Sequence, residues 1–509
     1  MTHANELVEK SAVALRALIG SREISPVELM QACIERIEAL NPYVNAVTAT
    51  DFERALAQAH AAERAVLAGE PLGLLHGLPM GIKDLENTEG LRSTYGSPLY
   101  KDHVPAQDNA LVARLRAAGG IVTAKTNVPE MGAGANTRNP VWGATGNPFD
   151  PRLNAGGSSG GSAAALATDM LPVCSGSDTG GSLRIPAAKC GVVGLRPSPG
   201  LVPSERRLLG WTPISVVGPM GRDVADTCLQ LQASAGLHIS DPLSYPIAAD
   251  TFARLAEIDL GSLRVGYTED FGCCEVDDEV RKVFQLKVKA LAGQFKSCEP
   301  VDFELGDAHR CFDILRAESF VAGLRDAYRD NPDKLGPNPR ANYELGAALS
   351  LEDCAWGAAE QTRIYRRFQA VFERYDLILA PTTPVSPFPW IEPHLAAVNG
   401  VALDNYYRWL SLTYVVTLAT NPAISLPCGL DHKGMPFGLQ VIAPFRQDLQ
   451  LLRCAAQIEK ATLNDPQLQR PRPDLLKLAA LAVDLKSIVT DPPSGSPSKA
   501  QAFKGTSSV

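Results

Sequence analysis

The stretch from Asn154 to Pro186, NAGGSSGGSAAALATDMLPVCSGSDTGGSLRIP, constrains this chain more than any other. It holds two glycine–serine clusters joined by an Ala-rich run. Glycine at that density breaks regular structure and marks loops where the backbone must come close to something. The run Gly161–Met170 predicts a helix between the clusters. Ser158 and Ser182 lie 24 residues apart, so that helix can return the chain and let the two serines meet.

Three readings of this stretch compete. A phosphate-binding loop needs GxxxxGK[ST], and neither cluster carries the lysine. Gly156-Gly157-Ser158-Ser159-Gly160 fits the GxSxG nucleophile elbow of an α/β-hydrolase, which needs a strand directly before it and a helix directly after. The helix is predicted, but Asn147–Asn154, NPFDPRLN, reads as turn material rather than strand. The third reading uses both clusters. Asp178-Thr179-Gly180-Gly181-Ser182 is a run of small residues whose backbone N–H groups can converge as an oxyanion hole beside a serine nucleophile. A serine hydroxyl needs a base, and no histidine has a distinctive setting. Lys83, at the end of Gly77-Leu78-Pro79-Met80-Gly81-Ile82-Lys83-Asp84, is the candidate, provided burial among Met80, Ile82 and Leu85 keeps it neutral. Ser158 then stands between base and nucleophile. The plain alternative for Lys83 is a solvated surface charge, and a charged structural lysine held by a carboxylate such as Asp84 is a further one.

Composition narrows the class. The chain has 509 residues, 45% hydrophobic and 20% charged, as in an ordinary globular protein. Lys plus Arg is 48 against 56 for Asp plus Glu, a net charge of −8, so no global field attracts nucleic acid or an anionic membrane. The 11 cysteines include no CxxC pair and the 8 histidines stand singly, so no metal site is expected. Cys273-Cys274 read as two thiols, and Cys190 as a packing residue. That usage points to a reducing, cytoplasmic setting. The N-terminal MTHANELVEK has no apolar core, and no run of 18 apolar residues offers a membrane span.

Periodicity outlines the fold. Asn5–Ile19 has helical spacing. Ser25-Pro26-Val27-Glu28 is a capping box with proline at the first helical position, opening a helix whose apolar face runs from Leu29 to Leu40. Asp51–Ala68 and Asn109–Ala118 are further helices. Ile121–Ala124 is a short apolar strand after the Gly119-Gly120 stop, Leu377–Ala380 is another, ended by Pro381, and Ala423–Leu426 and Phe437–Ile442 are two more, with a closing helix at Asp448–Lys460. Helix, stop and strand in alternation predict an α/β sheet. Residues 235–360 read as mixed helix and loop, and Leu475–Val489 as one more amphipathic helix. From Asp491 the composition predicts disorder.

On these residues the chain resembles the amidase signature family. GGSSGG, SDTGGS and Leu183-Arg184-Ile185-Pro186-Ala187 match its defining motif, Gly81-Ile82-Lys83-Asp84 its lysine motif, and Lys125-Thr126-Asn127-Val128-Pro129-Glu130 and Asn147-Pro148 its connecting loops. The resemblance runs from about Ser25 to Lys460. It implies a large mixed central β-sheet flanked by helices, with an N-terminal helical segment. It implies a Ser–cis-Ser–Lys triad with Ser182 as nucleophile, Ser158, after a cis Gly157–Ser158 bond, as bridge, and Lys83 as base. Thr179, Gly180 and Gly181 match the oxyanion-hole positions, together with the N–H of Ser182. Asp178 and Arg184 match residues that hold the loop. Met131 sits where family members line the acyl pocket, with a simple core methionine as the alternative. Ser159 and Ser162 are expected to be loop and helix-cap residues.

The expected layout is an N-terminal helical segment (1–70), a catalytic α/β core (71–235), and a variable helix and loop region lining the substrate site (236–365). A second part of the core (366–465) and a C-terminal helix with a disordered tail (466–509) complete it. The expected activity is hydrolysis of a small amide through an acyl-enzyme, with carbamates and esters presenting the same carbonyl. No cofactor, metal, nucleic acid or membrane partner is implied, and the expected state is a monomer or homodimer. Two alternatives remain. One is an α/β-hydrolase esterase with Ser158 as nucleophile. The other is the A-type subunit of glutamyl-tRNA amidotransferase. In that branch an Arg and an Asp grip the substrate's charged end, and Gln361 and Leu410 stand near those positions without charge. Trp211, Tyr406, Tyr407 and Trp409 are the expected specificity residues.

Overall fold

The computed structural model describes residues 3–495. Its spine is one 11-stranded mixed sheet. In spatial order the strands are Val47–Thr50, Ile121–Thr126, Pro79–Lys83, Val173–Asp178, Val216–Gly221, Val193–Arg196, Ala423–Leu430, Pro436–Ile442, Leu377–Pro381, Arg264–Tyr267 and Ser297–Pro300. Pro79–Lys83 runs parallel to both neighbours, with Met80 opposite Val173 and Lys83 opposite Thr126. Lysine at the end of a strand buried on both sides has no route to water, which matters below.

Local signals behave as their chemistry requires at the N-terminus. Ser25 and Glu28 form the capping box of helix Pro26–Val44. Asn109 caps helix Ala110–Ala117, accepting from Val112 N–H. The Asn5–Ile19 pattern resolves into two helices, His3–Val8 and Ala12–Gly20, because Ser11 turns its side chain to cap the second. The Ala-rich run forms helix Gly160–Ala167, and all eight of its residues are buried. Its small residues permit that depth: a Cβ on Gly161 would lie 2.2 Å from the backbone nitrogen of Asn127. A second buried helix, Arg184–Cys190, follows Ser182 directly.

Three stretches differ from their periodicity. The region read as helix and loop carries the sheet-edge strands Arg264–Tyr267 and Ser297–Pro300 between its long helices. Asn147–Asn154 is not all turn: Asp150–Asn154 is a strand, paired with Gly146–Asn147 in a hairpin outside the main sheet. Leu475–Val489 forms turns and a short 3₁₀ segment, Ala479–Leu481, instead of a helix. Its backbone is committed elsewhere. Leu485 O accepts from Ala144 N–H, and the N–H groups of Thr490 and Asp491, just beyond, donate to Pro140 O. Leu485 packs on Trp390 and Ala144. Tertiary partners for backbone and side chain outweigh the weak helical preference of an isolated segment. The tail predicted to be disordered lies, from residue 496 onward, outside the described residues. All 11 cysteines are free, with Cys273 and Cys274 Sγ 3.8 Å apart. Among the described residues no helix is long and apolar enough to cross a membrane.

Candidate active site

Three segments far apart in sequence converge on the amine of Lys83. Ser158 Oγ and Ser159 Oγ each lie 2.8 Å from Nζ, and Ser177 Oγ lies 2.9 Å away. The lysine's own N–H donates to Ser175 Oγ, which ties its strand to the neighbouring one. Lys83 is fully buried. Burial lowers its pKa from 10.5 to about 7, and the more distant charges of Glu86 and Asp178 only partly oppose the shift. Asp84 is not its partner. That carboxylate accepts from Thr94 and lies 4.0 Å from the amine of Lys125. The alternative of a charged lysine held by Asp84 is therefore not what the fold builds.

Ser158 follows a cis peptide bond, Gly157–Ser158, and is 3% exposed. Its loop is held by Thr137, whose hydroxyl donates to Gly156 O at 2.8 Å and accepts from Gly160 N–H at 3.1 Å. Ser159, expected to be a loop or cap residue, is instead part of the lysine nest. It stands at the N-cap position of helix Gly160–Ala167, yet its hydroxyl caps nothing. Ser162 lies inside the helix, not at its cap, and donates to Ser175 O. Ser177 was missed by sequence reasoning. The period of two along Val173–Asp178 was the available signal, because it sends Ser175 and Ser177 to one side and Asp178 to the other.

Asp178 turns away from the lysine into an ion network. It receives two hydrogen bonds from Arg184, at 3.0 and 2.9 Å, and one from Arg196 at 3.1 Å, all three side chains fully buried. The two guanidinium groups hold its carboxyl below the usual carboxylate range against a large burial penalty. Arg184 also reaches Gln440 at 2.6 Å and Thr417 at 3.1 Å. The same carboxylate receives the N–H of Gly181 at 2.9 Å and of Leu183 at 3.2 Å. The N–H of Gly181, one of the expected oxyanion donors, is thus engaged by Asp178 in this structure. Its φ of +118° and a Cβ position 2.2 Å from Thr413 Oγ1 explain why glycine stands there. The N–H groups of Thr179, Gly180 and Ser182 have no hydrogen-bond partner among the described residues.

Ser182 is half-buried at the mouth of this loop. The loop carrying it and the loop carrying Ser158 meet over Gly176, where a Cβ would lie 2.5 Å from Leu183 and 3.1 Å from Ser159 Oγ. No hydrogen bond joins Ser182 to Ser158 among the described residues. Met131, half-buried with φ +52°, lies on the loop whose Gly132 has its Cβ position 3.6 Å from Ser158 Oγ. A cleft of ≈ 290 Å³, lined by Leu85, Tyr95, Glu205, Arg206 and Val217 among others, opens beside the nest, with Val217 paired to Ser177 in the sheet.

The expected specificity residues separate. Trp211 is exposed. Trp409 is buried with its ring over the amine of Lys189 and against Phe388. Tyr406 and Tyr407 are buried around Arg316. Leu410 reaches 3.8 Å from the Cβ position of Gly180, and Gln361 donates to Leu418 O. For the nucleophile-elbow alternative, Ser158 faces a lysine, and the strand before it lies outside the main sheet.

The family model described as Amidase matches residues 28–452. An acylamidase of Rhodococcus erythropolis is 34% identical, over 88% of this chain and 94% of its own length. The A-type subunit of the glutamyl-tRNA(Gln) amidotransferase of Acaryochloris marina is also 34% identical, over 89% of this chain and 98% of its own. Among solved structures, a bacterial aryl acylamidase of the amidase signature family superposes with a TM-score of 0.84 at 27% identity, covering 97% of this chain and 100% of that one. A 6-aminohexanoate cyclic dimer hydrolase gives a TM-score of 0.80 at 29% identity, covering 92% and 99%. The chain belongs to the amidase signature family of hydrolases.

Proposed function

We propose that this protein hydrolyses the carbon–nitrogen bond of a small amide through an acyl-enzyme on Ser182. The observation that carries the reading is the Lys83 amine, fully buried, touched by three serine hydroxyls and paired with no carboxylate. A lysine kept neutral by desolvation has a lone pair to offer. Ser158 O–H donates to that lone pair, while the amine's two protons go to Ser159 and Ser177.

Ser182 Oγ attacks the carbonyl carbon. Its proton passes to Ser158 as Ser158 gives its own to Lys83. The hydrogen bond between Ser182 and Ser158 forms in the substrate complex, where catalytic hydrogen bonds are commonly completed. The tetrahedral oxyanion accepts from the free N–H groups of Thr179, Gly180 and Ser182. The C–N bond then breaks, and the proton returns through Ser158 to the leaving amine. Water attacks the acyl-enzyme with the same groups acting in reverse. Esters and carbamates offer the same carbonyl. Aryl amides stand first among candidates, because the aryl acylamidase superposes over nearly the whole chain.

The test is covalent labelling. A sulfonyl fluoride or organophosphonate is expected to abolish amide turnover and to leave its adduct on Ser182, located by peptide mapping. An adduct on Ser158 would instead support the nucleophile-elbow alternative. A second reading, ammonia supply within an amidotransferase, draws on the 34% identity to the A-type amidotransferase chain. The absence of charge at Gln361 and Leu410 weighs against glutamine as substrate. Copurification with the other amidotransferase chains and turnover of glutamine would favour it.

A further inference from the structure

Among the described residues of the helical region beside the site, Arg316 is a buried arginine with no carboxylate partner. Arg316, on helix Ala308–Asp330, is 5% exposed. It donates from Nε to Asn342 Oδ1 at 3.0 Å and from Nη2 to Tyr406 Oη at 2.8 Å, both neutral acceptors. Four aromatic rings surround its guanidinium carbon, Tyr407 at 4.9 Å, Phe320 at 5.0 Å, Tyr406 at 5.7 Å and Phe312 at 6.0 Å, and their faces offset part of the cost of the charge. Nearby arginines are treated differently: Arg408 pairs with Asp313 at 2.7 Å and Arg310 with Asp353 at 2.9 Å. Arg316 makes no salt bridge among the described residues. Its Nη1 makes no hydrogen bond there either, and it is not among the fully enclosed unpartnered atoms, so it borders open space. A buried charge without a partner is costly, and an arginine is not relieved by losing its proton. A planar fork with one free nitrogen, stacked on an aromatic ring, is built for an oxyanion that arrives from outside.

Its position places that oxyanion relative to the chemistry. One helical turn before Arg316, the ring of Phe312 lies 3.2 Å from the Cβ position of Gly180. Tyr406, which Arg316 holds, lies 3.9 Å from the Cβ position of Gly134, two residues from the glycine beside Ser158. Through Phe312 and Tyr406, Arg316 is thus tied to the side chains that pack on the Gly180 loop and on the Gly134 loop.

We propose that Arg316 is a specificity residue that binds a carboxylate on the substrate, several bonds from the scissile carbonyl, so that the preferred amides are half-amides of dicarboxylic acids or their like. This rests on the amidase reading, and the experiment separates the two. Binding is read without turnover by calorimetry on the Ser182→Ala variant, using the mono-anilide of a C4 to C6 dicarboxylic acid and its neutral carboxamide-terminated isostere. The carboxylate form is expected to bind at least tenfold more tightly. Arg316→Met in the same background is expected to erase that difference with less than a threefold change for the isostere, and Arg316→Lys to restore part of it. In the otherwise wild-type enzyme the loss should fall on KM rather than kcat. Equal binding of the two ligands, or equal losses for both on substitution, would overturn the proposal and make Arg316 a packing residue, whether or not the substituted chain folds well. Turnover of both anilides without preference would sink this inference alone. Failure of Ser182 labelling together with absence of any amide turnover would sink the amidase reading, while the calorimetric comparison still decides the carboxylate site.

Discussion

Ser177 and Asp178 are consecutive residues on one strand, and they serve two buried clusters of opposite design. Ser177 faces a lysine surrounded by neutral hydroxyls. Asp178 faces two arginines in a paired, hydrogen-bonded network. Lys83 and Asp178 are both fully buried, while Ser177 is half-buried. The difference is compensation. The aspartate keeps its charge because two guanidinium groups and two N–H groups replace the lost hydration. The lysine is touched by hydroxyls and a backbone carbonyl but by no carboxylate, so burial pulls its pKa down to about 7. A cluster that holds charge is suited to fixing a loop, and one that refuses charge is suited to taking a proton.

The largest expected effect lies on the chemical side of this contrast. Ser182→Ala should lower kcat/KM by at least about 10⁴-fold with the melting temperature unchanged. Steady-state kinetics on any amide substrate checks it, and a variant keeping more than about a hundredth of the rate would remove Ser182 from its role.

Lys83→Met separates the two clusters next. The rate should fall by about 10³-fold or more. A lysine neutral in the fold and charged when unfolded costs stability below its unfolded pKa. With a folded pKa of about 7 against 10.5, that cost is on the order of 5 kcal/mol at or below pH 7 and shrinks as pH rises toward 10.5. Methionine has no such cost, so the variant should match or exceed the wild type in thermal stability at pH 7, with the advantage fading above pH 9. Wild-type activity should rise with pH through about 7. A large loss of stability at pH 7 would show that the lysine is a charged structural group.

Asp178→Asn should do the reverse. Removing the anion leaves Arg184 and Arg196 buried without it, a loss of about 3–5 kcal/mol. Chemical denaturation measures this, and a loss under about 1 kcal/mol would mean that the network does not hold the loop.

The finest test compares two lysines on adjacent strands. Lys125 is as buried as Lys83, and burial lowers its pKa too, to about 8, but its amine contacts Glu86 O and Thr88 Oγ1 and lies 4.0 Å from Asp84, whose charge favours the protonated form. Lys125→Met should therefore destabilise by about 2 kcal/mol, since a buried carboxylate loses its cation. Equal stability changes for the two substitutions at pH 7 would erase the distinction between a lysine kept for its lone pair and one kept for its charge.

Much of this molecule follows from short-range chemistry. Ser25, Glu28 and Asn109 cap helices because capping depends on a few neighbouring residues. The double glycine–serine motif and Lys83 are legible because they match the motifs of the amidase signature family residue by residue. Other features were decided by distant parts of the chain. Whether Lys83 is neutral depends on burial and on hydroxyls at positions 158, 159 and 177. Ser159 becomes a lysine ligand rather than a cap, and the Gly181 N–H is taken by Asp178, through side-chain directions that composition does not encode. Leu475–Val489 has the period of a helix, yet lies as a strap because the 140–144 loop offers its backbone better partners. Arg316 looks like any surface arginine until the fold buries it without a carboxylate. Caps and turns are sums over a few adjacent residues. Desolvation and charge compensation are sums over everything within several ångströms, and only the tertiary structure assembles those terms.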